Sequence, residues 1–399
     1  MERRELAARL GARGPAAPPN PSRVVEDRDP SQFMDIFAQA LAAGGEIFLA
    51  DPSWRAAERT ILARHLSGPG AAELGWLMVP SGGASGGLKF ARHDSHTIAA
   101  AVQGFCRHFG LERVNSVCVL PLHHVSGFMA WMRSALTGGT FLPWDWKEVE
   151  SGRYPGDLPS DCCISLVPTQ LQRLIRVPEA VDWLRRFRIV FVGGAPAWEG
   201  LLDEAAALRL PLSPGYGATE SAAMAAALRP EEFLRGMRGC GSPLPHARID
   251  LVDGGIVRIS GESLYRGYHP QYREDRAWTT GDIGAFDANG SLVILGRSDD
   301  VIVTGGKKVS PAEVEAALLA SGEFEDVAVV GLPDAEWGQV VVACHPARAR
   351  APRTERLASA LSGLAPYKRP KCYRAISPWP RNAQGKVNRA ELRILAADT

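Results

Sequence analysis

The chain has 399 residues, 46% of them hydrophobic, 22% charged and 8% aromatic, a make-up that suits two or three globular domains at roughly 100–200 residues each. Lys and Arg number 45 against 44 Asp and Glu, for a formal charge of +1, which excludes binding to nucleic acid or an anionic membrane through bulk charge but leaves room for a local basic pocket. No window approaches the ~18 consecutive apolar residues of a membrane helix. The N-terminal MERRELAARLGARGPAAPPN lacks the apolar stretch of a signal peptide. Cys106, Cys118, Cys162, Cys163, Cys240, Cys344 and Cys372 form no CxxC pair, the pattern of reduced thiols in a cytoplasmic protein.

In chain order, residues 11–30 carry five prolines and read as a loose lead-in. Short apolar runs at Trp76–Val79, Ser116–Leu120, Cys162–Val167 and Arg188–Val192 predict strands. Between them, Ile98, Val102, Phe105 and Phe109 recur at helical spacing up to Gly110, and a further helix begins near Pro168. This alternation predicts an α/β domain of layered sheets and helices with a partly parallel sheet. After about residue 245 the texture changes. Gly255–Ser260 reads as a strand, Asn289-Gly290 as a hairpin turn, and Ser310-Pro311-Ala312-Glu313 as an N-cap, first-turn proline and capping box. Strands at Asp326–Gly331 and Gln339–Cys344 and a helix near 353–363 follow. The predicted organisation is a large domain over 1–298 and a small, mobile α+β domain over 299–399.

The strongest local signal is Ser81-Gly82-Gly83-Ala84-Ser85-Gly86-Gly87-Leu88-Lys89 after an apolar strand. Glycines let backbone N–H groups approach a phosphate, hydroxyls add donors, and the lysine supplies charge. A Walker loop is excluded, because Leu88 separates Gly87 from Lys89. Alone, the stretch reads equally as a surface loop. Four further segments occur in order: Gly215-Tyr216-Gly217-Ala218-Thr219-Glu220, Thr280-Gly281-Asp282, Gly296-Arg297-Ser298-Asp299-Asp300 and Asn382-Ala383-Gln384-Gly385-Lys386.

Together the five segments resemble the adenylate-forming superfamily of acyl-CoA synthetases, adenylation domains and luciferases, from residue 76 to about 393. The resemblance departs at Ala84-Ser85, where the family usually carries two threonines, and at Leu88, where it has proline. It also implies a large domain trimmed in its N-terminal third.

What the resemblance implies is an enzyme that uses ATP, Mg²⁺ and coenzyme A. ATP would be held by Ser81, Gly82, Gly83, Ala84, Ser85, Gly86 and Lys89, with Gly194, Ala195, Gly215, Tyr216, Gly217 and Thr219 around the base and phosphates. Asp282 would hold the ribose, Arg297 the ribose or a phosphate, and Glu220 would be the metal ligand. Lys386 would contact the reacting carboxylate and α-phosphate, with Lys89 and Glu220 completing the catalytic set. Asp299 matches the hinge of the small domain, and Gly305-Gly306 the strand that closes on the thiol channel. Each residue also has a plain structural reading: Tyr216 in a core, Glu220 at a helix start, Arg297 on the surface, Asp299 in a turn.

Pro121-Leu122-His123-His124-Val125-Ser126-Gly127 and Ser165-Leu166-Val167-Pro168-Thr169-Gln170-Leu171 resemble the o-succinylbenzoate–CoA ligases of menaquinone and phylloquinone synthesis. That resemblance implies a small aryl dicarboxylic acid as substrate, held by His124, Ser126, Thr169, Gly193 and Gly194. Arg133 stands where a second carboxylate would need a bidentate partner, unless it is a surface arginine. Met129, Trp131 and Met132 line an aryl pocket or belong to a helix core, and Ser126 and Thr169 donate to substrate or cap helices. The alternatives are another aryl- or acyl-CoA ligase, a stand-alone adenylation enzyme loading a carrier protein, and a nucleotide-binding module without chemistry.

Overall fold

The computed structural model describes residues 2–11, 22–67, 75–82, 87–347, 352–381 and 386–398. Gly83, Ala84, Ser85 and Gly86 of the phosphate loop and Asn382, Ala383, Gln384 and Gly385 before Lys386 lie outside the described residues.

Strands Ser22–Val25, Glu46–Leu49 and Leu77–Gly82 run parallel, and Leu88–His93 folds back antiparallel on the last of them. Of the lead-in expected over 11–30, residues 22–25 are therefore strand, because Val25 is drawn into the core beside Ile47 and Leu49. A second sheet holds five parallel strands in the order Leu212–Ala218, Ile189–Val192, Cys162–Leu166, Asn115–Cys118 and Phe141–Pro143, extended by antiparallel Ala223–Ala227 and Ser242–Pro243. The predicted strands at 76, 116, 162 and 188 are all present, with ends shifted by up to three residues.

Two helices tie these sheets together. Helix Ser95–Phe109 is capped by Asp94, which accepts from the Thr97 N–H at 2.8 Å, and ends at Gly110 with φ 63°. Its Ile98 and Val102 pack with the first sheet, whereas Phe105 and Phe109 pack on Ile189 and Phe191 of the second. Helix Val125–Thr137 passes so close to the preceding turn that a Cβ on Gly127 would lie 2.3 Å from the Pro121 carbonyl oxygen. Its Phe128, Met129, Trp131 and Met132 are buried in the core with Phe37, whose ring meets that of Trp131 edge-on at 5.4 Å. Met129, Trp131 and Met132 are thus core, not pocket lining. The helical repeat turns Ser126, Ala130 and Arg133, spaced by four and three, to another face.

An antiparallel meander of Ala247–Val252, Ile256–Gly261, Ala277–Phe286 and Leu292–Arg297 follows, with Gly290 at φ 76° in its predicted turn. Beyond it, hairpin Ile302–Thr304/Lys307–Val309, the three-stranded sheet of Ala328–Asp334, Gly338–Pro346 and Cys372–Ile376, and helices Pro311–Ala320, Thr354–Ala360 and Arg389–Ala397 build cores of their own. The mixed α/β architecture with a large N-terminal and a smaller C-terminal part is as expected. The capping box at Ser310 is not: the Ser310 hydroxyl donates to the Leu295 carbonyl at 2.9 Å, and Glu313 pairs with Lys368 at 2.6 Å. Both side chains tie the helix to neighbouring elements in place of its own N–H groups.

Replacing Gly127 with Ala is expected to destabilise the protein by roughly 1–3 kcal/mol, since backbone cannot yield as a side-chain tip would. Urea unfolding would show the midpoint fall.

Candidate active site

The site lies where strand ends of both parallel sheets meet the antiparallel meander, the usual place for ligands in open α/β sheets. In the hairpin Leu77–Gly82/Leu88–His93, Ser81 stands opposite Lys89. The Ser81 hydroxyl donates to Glu220 Oε1 at 2.7 Å, and the Tyr268 hydroxyl donates to the same oxygen at 2.7 Å. Glu220 sits in the one-turn helix Thr219–Ser221 and is only 4% exposed. The Lys89 ammonium stands 5.2 Å from the centroid of the Tyr268 ring. Glu220 is therefore a buried carboxylate steadied by neutral donors, the donor type a hard cation takes, and it fits one protein ligand of Mg²⁺. It does not begin a regular α-helix.

His93 sets the residue before it. Its Nε2 lies 2.8 Å from the Thr219 carbonyl oxygen. A carbonyl can only accept, so the imidazole carries a proton on Nε2. Burial pushes the His93 pKa down to about 4, outweighing the pull of that carbonyl and of Asp94.

On the meander, Asp282 and Arg297 face each other in register. Tyr216 donates its hydroxyl to Asp282 Oδ2 at 2.6 Å, Arg297 reaches Asp282 Oδ1 at 3.2 Å, and the Thr280 hydroxyl oxygen accepts from the Asp282 N–H at 2.9 Å. Arg297 also donates twice to Asp299, both at 2.8 Å. A ribose would share Asp282 with these donors. Gly217 permits this packing, for a Cβ there would meet the Ala223 carbonyl oxygen at 1.6 Å. Gly193, Gly194 and Ala195 follow strand Ile189–Val192, and a Cβ on Gly193 would stand 3.3 Å from the Gly215 carbonyl oxygen.

Lys386 arrives from the far end of the chain. Protein atoms around its ammonium lower its pKa by desolvation, while Asp282 and Glu220 act in the opposite direction and Arg297 adds to the lowering. The structure thus brings together Ser81, Lys89, Glu220, Asp282, Arg297 and Lys386, which are scattered over 300 residues of sequence.

The acid-binding candidates divide between helix starts and the back of the second sheet. Ser126 and Thr169 stand in the first turns of helices Val125–Thr137 and Pro168–Leu174, whose N-caps are His124 and Val167, so neither acts as an N-cap. The Val167 N–H is met by Gln170 at 3.0 Å. Burial, then His123 and Lys386, lower the His124 pKa to about 3, keeping it neutral. Arg133 points behind the second sheet, 5% exposed, its guanidinium 4.1 Å from the Phe105 ring centroid. It lines a cavity of about 10 Å³ with Phe105, Ala130, Cys163 and Phe191, room for about one water. The Arg133 Nε has no hydrogen-bond partner. Burial lowers its pKa to about 10, so it stays charged at neutral pH. Gly305 and Gly306 form the turn of the hairpin after Arg297, at φ 55° and 74°.

The family model for AMP-binding enzymes matches residues 76–269, and that for the AMP-binding enzyme C-terminal domain matches 313–386.

The chain belongs to the AMP-binding enzyme family.

Among its relatives are 2-succinylbenzoate–CoA ligases of Bacillus pumilus, 32% identical over 323 residues covering 76% of this chain and 64% of that protein, and of Geobacillus kaustophilus, 32% identical over 317 residues covering 74% and 64%. The chain thus spans a little under two thirds of the curated relatives it matches. In fold this AMP-binding protein resembles the Bacillus subtilis o-succinylbenzoate CoA synthetase in complex with its acyl-adenylate intermediate, with TM-score 0.80, 21% identity and coverage of 98% of this chain and 91% of that one. Tyr268, His93 and Phe105 were missed by sequence reasoning, because they belong to no motif and act through residues far along the chain.

Histidines held neutral by burial make the fold acid-sensitive. His93 and His246 both have pKa values pushed down to about 4, so the unfolded chain binds the extra protons first as pH falls below about 6.5. Stability is expected to drop between pH 6.5 and 4 by on the order of 1 kcal/mol per histidine per pH unit. Urea midpoints for His93→Gln should show a shallower pH dependence than the parent.

Proposed function

We propose that this protein is an ATP-dependent o-succinylbenzoate–CoA ligase of menaquinone or phylloquinone synthesis, acting in the cytoplasm. One carboxylate of the acid attacks the α-phosphorus of ATP, and the bond to the pyrophosphate oxygen breaks, leaving an acyl-adenylate. The thiol of coenzyme A then attacks the acyl carbon, its proton is lost, and AMP departs with the bonding electron pair. A divalent metal on Glu220 would supply charge neutralisation at the phosphates.

The residues present suit these tasks. Lys386 and Lys89 place positive charge where the phosphate oxygens gain negative charge, and Asp282 with Tyr216 offers a polar anchor for the ribose. The Ser81–Glu220–Tyr268 bonds hold the metal-binding carboxylate in one orientation before ligand arrives. Gly82, Thr219, Gly194, Ala195, Gly215 and Gly217 would shape the ATP cleft, and Ser126, Thr169, Gly193 and His124 the acid side. For the second half-reaction Lys386 must withdraw, so the small domain, starting at Asp299, would turn about that residue and bring Gly305-Gly306 to the thiol channel. The Arg297–Asp299 pair is then one contact that the turn must break.

The observation that carries the substrate assignment is buried Arg133. A guanidinium in a largely apolar pocket with an unsatisfied Nε is costly, and a second substrate carboxylate supplies the missing acceptor and charge. The curated relatives named 2-succinylbenzoate–CoA ligases support the same reading. The small present cavity means that side chains around Arg133 must shift to admit the aryl group.

Arg133→Ala is expected to raise KM for o-succinylbenzoate roughly 10- to 100-fold, the worth of a charged hydrogen bond, with KM for ATP unchanged. An equal loss with benzoate would overturn the role of a second carboxylate. Lys386→Ala is expected to slow pyrophosphate release by on the order of 10²–10³, which single-turnover assays would measure. Following pyrophosphate and thioester separately with succinylbenzoate, benzoate, a fatty acid and amino acids tests the whole assignment. Turnover of another acid, or pyrophosphate without thioester, would refute it.

A further inference from the structure

Asp51 follows strand Glu46–Leu49 of the first sheet, and His123 and His124 follow strand Asn115–Cys118 of the second. Neither Asp51 nor His123 has a task in the proposed function. One ligand atom from each of Asp51, His123 and His124 lies within 4.8 Å of the other two. The Asp51 carboxylate is already oriented: its Oδ1 accepts from both the N–H and the hydroxyl of Ser53 at 2.7 Å, which turns Oδ2 toward His123.

His123 is 7% exposed, and its Nε2 is buried with no hydrogen-bond partner. That nitrogen faces Asp51 Oδ2 at 3.4 Å, long for a hydrogen bond of an imidazole to a carboxylate. The separation suits a shared ion. Two ligands bound at about 2.0–2.1 Å in a tetrahedron stand about 3.3–3.4 Å apart. The His124 ring lies 4.5 Å from that of His123, tilted by 55°, so a swing of His124 toward the pair closes the set.

We propose that Asp51, His123 and His124 form a binding site for a divalent transition ion of the zinc class, and that filling it inhibits the first half-reaction. Two imidazoles and one carboxylate select zinc, cobalt or nickel over magnesium, which wants oxygen ligands and octahedral geometry. Three protein ligands leave a fourth position for water. Ser53 is the outer partner that fixes the carboxylate. Inhibition has two physical causes. The ion takes His124 from the acid-binding edge, a step that rests on the reading of His124 in the proposed function. It also adds positive charge near the swung-in Lys386 ammonium, whose field already reaches His124.

The test uses the full-length protein, freed of metal by a chelator and titrated with Co²⁺ while visible absorption is followed. A single tetrahedral cobalt spectrum, displaced by Zn²⁺ and unaffected by millimolar Mg²⁺, is expected. Asp51→Asn and His123→Phe should abolish it, and Ser53→Ala, on an exposed turn, should weaken affinity roughly 10- to 100-fold. No saturable cobalt spectrum, or one unchanged in Asp51→Asn and Ser53→Ala, would overturn the site, the latter by revealing thiol or surface-histidine binding. Pyrophosphate release at saturating Mg·ATP is then measured against Zn²⁺. Loss that Ser53→Ala shifts to higher Zn²⁺ supports inhibition. Cobalt binding with undiminished pyrophosphate release overturns the inhibitory half, and because binding is read without turnover, its failure is distinguishable from an error in the assigned activity.

Discussion

A lysine ammonium has to be held among carboxylates that lie far earlier in the chain. Lys386 comes from the small C-terminal part, whereas Asp282 and Glu220, whose charges act on it, come from the meander and from a turn between two strands of the second sheet. Burial and the carboxylates oppose each other in setting its protonation. Withdrawing Lys386 leaves those carboxylates without this countercharge unless a metal or another cation replaces it. Much of the site is arranged around that problem. Arg297 stands between Asp282 and Asp299 and bonds both, so one side chain ties the meander to the segment that follows it.

Glu220 meets the complementary problem. Two hydroxyls, from Ser81 and Tyr268, converge on one of its oxygens. Neutral donors steady the carboxylate and leave its charge in place, whereas an arginine in their place would have neutralised it. His93 reinforces the same turn from beneath through the Thr219 carbonyl. Its neutrality is a consequence of burial, so the rigidity of the turn and the acid sensitivity of the fold share one cause.

Helix Val125–Thr137 shows how one element can serve two regions. Phe128, Met129, Trp131 and Met132 fill the core beside Phe37, while Ala130 and Arg133 reach the cavity behind the second sheet. The sequence left Met129 and Trp131 open between pocket lining and helix core, and packing against Phe37 decided for the core. The helix was predictable. Which side met the sheet depended on Gly127, whose missing side chain lets the helix press against the Pro121 backbone.

Sequence alone determined what is local. Strand runs, the helix stop at Gly110, the turn at Gly290, and the ordered motifs around Ser81, Glu220, Asp282, Arg297 and Lys386 were readable because each depends on side chains a few residues apart. Tertiary structure decided what depends on distant partners. Tyr268 joins Glu220 from 48 residues away and Ser81 from 139. Ser310 gave up its capping role to reach Leu295, and Asp51 acquired His123 only when the ends of two sheets converged. A hydroxyl, carboxylate or imidazole has the same local appearance whether it meets water or a buried partner. Desolvation and pairing distinguish the two, and both arise only when the chain has packed.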